Sequence, residues 1–269
     1  MPELPDVEEF RKYIDATALY QPMAEVALSS PEMLGEVDRR WLPRRLKTAC
    51  FEATRRHGKY LFLQTDTPWS LVLHFGMTGY PAYFKSRTDS PEHTRLLITF
   101  ESGYHLAYVC QRKLGLIDVT DDPDDFSRRK ELGPDPLADG LDEAEFAHLL
   151  QGHRGYLKSA LMNQQLLAGI GNVYSDEILF HAGFHPEMSA ADMNDDQLAV
   201  LFKAMHRVLH TAIRCRTDPE QLPEDYLLRH REEGVPCPQC GGRIRKKKTA
   251  GRTAYFCDRH QSRAGAGRP

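Results

Sequence analysis

Apolar residues fall in short blocks along the first half of the chain and at helical spacing along the second. In the first half, "YLFLQT", "WSLVLHF", "RLLITF" and "YHLAYV" are compact runs of aromatic and aliphatic residues, and "ESGY" between the last two is a hairpin signal. Several such strands joined by turns predict an antiparallel sandwich or barrel. "DVTDDPDD" then breaks the pattern and marks a boundary. From Leu141 onward the period becomes that of a helix. "LDEAEFAHLLQG" carries an apolar stripe behind a capping Asp142. "SALMNQQLLAG" and "NVYSDEILFHAG" predict two helices separated by the tight "AGIGN". "DMNDDQLAVLFKAMHRVLHTAIRC" predicts a long helix with acids at its start and bases later. "RTDPEQLPEDY" reads as a loop or short turn, and no internal repeat is present. The pattern predicts an α+β multidomain chain. An N-terminal β domain with an opening helix spans 1–122, an acidic linker 123–140, a helical domain 141–228, a small cysteine unit 229–261 and a disordered tail 262–269.

The opening "MPELPDVEEF" fits a helix start only in part. Pro5 suits the first helical position, where its missing N–H costs nothing. Asp6 and Glu8 suit the positive end of the helix dipole, and Val7, Phe10 and Ile14 follow at helical spacing. A helix start gives no reason for "MPE".

Composition adds a globular class: 41% hydrophobic and 27% charged, with no apolar run approaching the roughly 18–20 residues that span a bilayer. The N-terminus lacks the basic-then-apolar order of a secretory signal. A cytoplasmic, monomeric protein with no membrane association is expected. The net charge of −3 conceals segregation: residues 118–145 sum to −8 and residues 229–269 to +8. A basic end on a near-neutral chain is an electrostatic footprint for phosphate, although charge alone also fits a solvated tail.

Cys50, Cys110 and Cys215 are scattered and read as packing residues. Cys237 and Cys240 are separated by two residues. Sixteen residues on, Cys257 and His260 repeat that spacing. Two ligand pairs on tight turns suit tetrahedral zinc, and four protein ligands leave no open position, so one structural Zn²⁺ is expected. The stretch between them reads as a β-hairpin with "TAGRT" near its tip. It carries Arg243, Arg245, Lys246, Lys247, Lys248 and Arg252.

"PELPDVE", "HFGMTG", "LGPDPL", "LLAGIGNVYSDEILFHAGFHP" and the terminal cysteine hairpin together resemble the formamidopyrimidine-DNA glycosylase/endonuclease VIII family, from Pro2 to about Gln261. The resemblance implies a β-sandwich followed by a helix–two-turn–helix domain and a zinc finger. Its implied partner is double-stranded DNA carrying a damaged base or an abasic site. It implies a base-excision-repair glycosylase that also cleaves abasic sites. The nucleophile would be the amine of Pro2 once Met1 is removed, with Glu3 as the acid partner. Lys59 would serve phosphate and sugar oxygens beside the lesion. Met77 would intercalate, and Arg112 would face the orphaned base. Asn172 and Arg252 would grip phosphates, with Lys158 and His93 as further backbone contacts. Asp6 and Glu177 are substrate-pocket candidates.

Three departures from the family pattern stand out. Leu114 occupies the place of an aromatic wedge, Asp6 replaces the more frequent glutamate, and the segment between Cys215 and Cys237 is short. Less protein to close over the flipped base predicts a more open pocket. It favours formamidopyrimidines, oxidised pyrimidines and hydantoins over 8-oxoguanine, with weaker discrimination by the opposite base. Two other readings compete. A lesion-binding protein of the same fold with little catalysis would keep Asn172, Arg252 and the zinc unit but not the nucleophile. An RNA-associated zinc protein would account for the cysteines alone.

Overall fold

The computed structural model describes residues 1–262. The chain divides into two compact units: Met1–Pro2 with Asp6–Lys130, and Glu3–Pro5 with the chain from Glu131 onward.

The first unit is a sandwich of two antiparallel four-stranded sheets behind α1 (Leu4–Thr17). One sheet has the order β1-β6-β7-β5, with β1 Met23–Leu28, β5 Gly79–Phe84, β6 Thr94–Phe100 and β7 His105–Cys110. The other runs β2-β3-β4-β8, with β2 Phe51–His57, β3 Tyr60–Thr65, β4 Ser70–His74 and β8 Leu116–Thr120. Alternation along β3 and β4 decides the faces. Leu61, Leu63, Leu71 and Leu73 point into a core shared with Val26, Ile98, Leu106 and with Val7 and Ile14 of α1. Phe62 and Val72 point the other way, onto Phe126. A short helix, α2 (Trp41–Leu46), joins β1 to β2.

That outer contact corrects the expected linker. Residues 123–130 are not a tether: α3 (Pro123–Arg129) packs Phe126 on the sheet, and Asp122 caps it by accepting from Asp124 and Asp125 N–H. Residues 131–140 belong to the second unit. There Gly133 N–H donates to Gln164 O, Ala168 N–H donates to Pro134 O, and Asp135 is buried.

The second unit holds α4 (Glu143–Gln151), α5 (Leu157–Met162), α6 (Asn172–Ala182) and α7 (Asp195–Arg214) around one core that also takes Leu4. Asp142 caps α4, and an Asn194/Gln197 capping box starts α7. Gly183, at φ 73, closes α6 in the left-handed region. "SALMNQQLLAG" is not one helix. α5 ends at Met162 because the Asn163 side chain accepts from Gln165 N–H, an alternative to the helical ladder. The hairpin β9 (Arg245–Thr249) and β10 (Arg252–Phe256) groups with this unit. Of the expected tail, Ser262 is tied down, donating to Gly183 O and accepting from His185 N–H. Residues 263–269 lie outside the described residues.

Candidate DNA-repair site

Candidate site residues occur in both units.

In the second unit, Glu3 explains the chain's opening. Its side chain is 2% exposed and closes the start of α6. One carboxylate oxygen accepts from Gly171 N–H (2.7 Å) and Tyr174 N–H (3.1 Å), the other from Val173 N–H (2.9 Å). A helix N-terminus leaves such donors unpaired and carries positive dipole charge, so a carboxylate from the far end of the sequence caps it. Leu4 N–H then donates to Gly169 O, which sews the chain start to the same loop. Gln164 braces that loop by accepting from Gly169 N–H and donating to Ile170 O. Gly171 has ordinary extended backbone. A Cβ there would stand 2.4 Å from the Glu3 carboxyl carbon, so glycine is required by close approach. Asn172 follows as the first helical residue. Its side-chain Oδ1 is buried without a hydrogen-bond partner.

Two expected contacts in this unit are overturned. Lys158 is fully buried, and its Nζ donates to Asp176 Oδ1, Ser175 Oγ (3.2 Å) and the Asn172 carbonyl (3.2 Å). All three ammonium donors are spent inside the protein, so Lys158 is not a phosphate contact. Glu177 is also fully buried. Its oxygens accept from Leu227 N–H (2.9 Å) and Leu228 N–H (2.7 Å), with His181 Nε2 3.0 Å away. It clamps the segment after α7 onto α6 with both carboxylate oxygens engaged.

No sequence pattern singles out Asp176. Besides Lys158, its carboxylate takes Arg231 (2.8 Å) and Tyr255 N–H of β10 (3.1 Å), while the Arg231 guanidinium lies 4.7 Å from the Tyr255 ring centre. This buried network joins α5, α6 and the hairpin, and nothing in its sequence spacing signals it.

Cys237, Cys240 and Cys257 bring their sulfurs within 4.8 Å of one another. Cys240 and Cys257 Sγ are 3.7 Å apart, close to the ~3.8 Å expected for two sulfurs at ~2.3 Å on a tetrahedral zinc. Gly241 at φ 68 makes the turn, and Gly242 N–H donates to Cys240 Sγ. This donor set fits one structural zinc ion. His260 stands outside the sulfur group, with its Nε2 2.8 Å from the Phe180 carbonyl oxygen. The expected set of four is therefore seen as three. If His260 completes it, Nδ1 is the ligand and the Phe180 carbonyl orients the ring, as outer-shell acceptors do. The hairpin tip is a two-residue turn with Ala250 (φ 50) and Gly251 (φ 75) both left-handed, as a type I′ turn demands. It presents Arg252, exposed, at the first position of β10.

In the first unit, Pro2 is half-buried just before α1, and Asp6 is half-buried in its first turn. Lys59 sits in the two-residue turn between β2 and β3 and is only 7% exposed, so it is no solvated strand lysine. Arg56 supports this turn. It donates to Gly58 O and pairs with Glu8 of α1 (3.1 Å), and with Arg11 it holds the Glu8 carboxyl below the usual range despite burial. Burial, then the Lys59 charge, pushes His74 down to about 4. Its Nδ1 accepts from Gly76 N–H.

Met77 and Leu114 are 42% and 53% exposed, unusual for large apolar side chains, and Arg112 is exposed beside Leu114. Their two loops touch. Gly76, at φ 58, leaves room for the Leu114 backbone, which a Cβ would meet at 2.5 Å, and Arg112 N–H donates to Thr78 Oγ1. The structure thus gathers Met77, Arg112 and Leu114 at one edge. His93, exposed at φ 65, enters β6 with its carbonyl accepting from Cys110 N–H, two residues before Arg112. Arg95, absent from the sequence reading, steadies this loop by donating to Cys110 O and Gln111 O.

Comparison with known proteins covers nearly the whole chain. The formamidopyrimidine-DNA glycosylase N-terminal domain profile matches residues 1–117, that family's helix–two-turn–helix profile 132–221, and a zinc finger found in such glycosylases and isoleucyl-tRNA synthetase 234–262. A protein of Gluconobacter oxydans named formamidopyrimidine-DNA glycosylase is 33% identical over 96% of this chain and 98% of its own. One from Moorella thermoacetica is 32% identical over 90% and 92%. A structure described as MutM in complex with DNA containing carbocyclic 8-oxo-G superposes with a TM-score of 0.88 at 28% identity, covering 97% of this chain and all of the other. The Lactococcus lactis enzyme with Fapy-dG DNA gives 0.87 at 26% over the same shares.

Proposed function

The chain belongs to the formamidopyrimidine-DNA glycosylase/endonuclease VIII family, and on that premise we propose that it excises oxidised or ring-opened bases from duplex DNA and cleaves the strand at the resulting abasic site. The observation that carries this reading is the placement of Glu3. Its carboxylate is locked by three N–H groups at the start of α6, and one peptide bond away stands Pro2, a secondary amine once Met1 is removed.

An α-amino group titrates near pH 8, so a working fraction is unprotonated at neutral pH. That amine attacks the sugar C1′ and displaces the base, and the C1′–O4′ bond then opens, O4′ taking up a proton as the nitrogen becomes an iminium. Glu3 moves protons between sugar and amine. The iminium acidifies the C2′ proton. Loss of that proton expels the 3′ phosphate, and a second elimination expels the 5′ phosphate. Lys59 serves the phosphate and sugar oxygens. A base must leave the stack to react, so Met77 and Leu114 fill the gap while Arg112 faces the orphaned partner. Phosphates rest on Asn172, His93 and Arg252. Cys237, Cys240 and Cys257, with His260 as the fourth ligand, would hold a zinc ion that fixes the hairpin carrying Arg252.

The segment after α7 supports the expected lesion preference. Leu222, Tyr226 and Leu227 are buried and Glu177 holds its backbone, so it is packed down. Without a closing loop to read a purine edge by buried hydrogen bonds, selection falls on bases that unstack easily. Ring-opened and non-planar lesions therefore go ahead of 8-oxoguanine.

Borohydride should trap the Met-processed protein covalently on abasic DNA and fail with an N-terminally extended form. Equal trapping of both would move the nucleophile to a lysine. Single-turnover rates on matched duplexes decide the preference, and fastest cutting of 8-oxoguanine opposite cytosine would refute it.

A further inference from the structure

Around α2 the first unit carries Arg39, Arg40, Arg44, Arg45 and Lys47, all exposed, within nine positions. The nearby acids are committed elsewhere. Glu36 pairs with Arg129 and Lys130, Glu32 pairs with Lys113, and Asp38 and Asp66 accept from the backbone N–H of Arg40 and Cys50. None of the five cations has an ion pair among the described residues. The chain's two tryptophans, Trp41 and Trp69, meet edge to face at 4.6 Å, and Arg45 lies 4.5 and 4.9 Å from their ring centres.

This face is separate from the wedge loops. Trp69 immediately precedes β4 and Met77 follows its other end, so the length of a five-residue strand, about 17 Å, lies between them. We propose that it is a second duplex-binding surface, holding the phosphates of a DNA segment other than the one at the lesion site.

The packing selects this partner. Leu42 and Leu46 point inward and are fully buried, so α2 offers no apolar face for insertion into a bilayer. Arg45 covers the indoles, which removes them as a stacking platform for single-stranded bases. A row of five cations without ion pairs remains, in excess over the neighbouring Asp38, and duplex DNA offers one phosphate charge per about 1.7 Å of axis. A surface of this kind lets the protein hold one segment while sampling another.

The test uses the full chain, saturated with a short unlabelled duplex carrying an abasic-site analogue and titrated with a labelled lesion-free duplex. Wild type should form a ternary complex that weakens steeply with salt. Arg40→Ala/Arg44→Ala/Lys47→Ala should weaken that complex at least tenfold and lower the salt slope of lesion-free binding by about 2–3, near 0.9 per lost phosphate contact. Cleavage of abasic DNA should be unchanged. Arg40→Lys/Arg44→Lys should retain the complex, which separates charge from folding. No ternary complex with wild type, equal complexes with wild type and the triple alanine variant, or capture of phosphatidylserine vesicles in place of DNA would overturn the proposal. If the abasic duplex does not bind, the salt slope on lesion-free DNA alone decides, so failure here is distinct from failure of the glycosylase reading.

Discussion

Glu3 and Gly171 form one device made of residues 168 positions apart. The carboxylate needs three converging N–H groups, and the N–H groups need a neighbour without a side chain. Gly171→Ala places a methyl group where the carboxyl now sits. The expected cost is about 1–3 kcal/mol of stability, as for other overpacked sites. Base excision should fall by about a hundredfold or more, the usual weight of a general acid–base group, while DNA affinity is largely kept. Single-turnover excision beside a binding titration checks this. His74 makes a second prediction. Its folded value near 4 lies below the ordinary 6.5, so between these the unfolded chain binds more protons. Stability is fully present above about pH 6.5 and is lost as pH falls toward 4, by ~3 kcal/mol in all. His74→Asn retains an acceptor for Gly76 N–H and has nothing to titrate. Its melting temperature should therefore fall less than that of wild type over this pH range.

Among the elements, α6 carries most of the organisation. Its first turn holds Glu3 and Asn172, its middle holds Asp176 and Glu177, and its end is capped by Gly183. These partners bury α6 on nearly all sides. Lys158→Met removes one partner of the buried Asp176 carboxylate and should destabilise the protein by about 3–5 kcal/mol. Lys158→Met with Asp176→Asn should cost less than the sum of the two single losses, since the Lys158–Asp176 pair goes as a unit and Arg231 is the one charge left without its carboxylate. Denaturant midpoints for the two single variants and the double variant give the coupling. Were Lys158 a phosphate contact instead, its loss would flatten the salt dependence of DNA binding and leave the midpoint unchanged.

For the whole molecule, the division into two units shapes how metal loss is felt. Cys237 and Cys257 pack in one cluster with Phe180 of α6 and Leu227, and Tyr255 N–H donates to Asp176. Removing zinc therefore weakens the helical unit from its hairpin side, while the sandwich core contains no part of that cluster. Chelation should lower the melting transition of the second unit and leave that of the first in place, a split that calorimetry with and without chelator resolves. A single transition that shifts as one would show instead that the units unfold together. No helix among the described residues is long and apolar enough to cross a membrane.

Local chemistry was legible from sequence wherever neighbours in the chain are also neighbours in space. Strands β3, β4, β6 and β7, the cap of α4, the "TAGRT" turn and the paired cysteines all follow from patterns a few residues long. The family motifs singled out Pro2, Glu3 and the loops of Met77 and Leu114 as candidates. Burial and long-range pairing settled the remainder. Lys158 and Glu177 look like DNA or pocket residues as letters in a motif. Only the fold shows their charged ends enclosed, because the cost of burying a charge is met by partners that packing alone supplies. The "DDPDD" stretch reads as a tether by charge, yet one phenylalanine, Phe126, finds Phe62 and Val72 on the outer sheet face and makes it a helix of the sandwich. The reason for "MPE" was likewise tertiary: a helix start cannot account for Glu3, whereas three N–H groups at the head of α6 can.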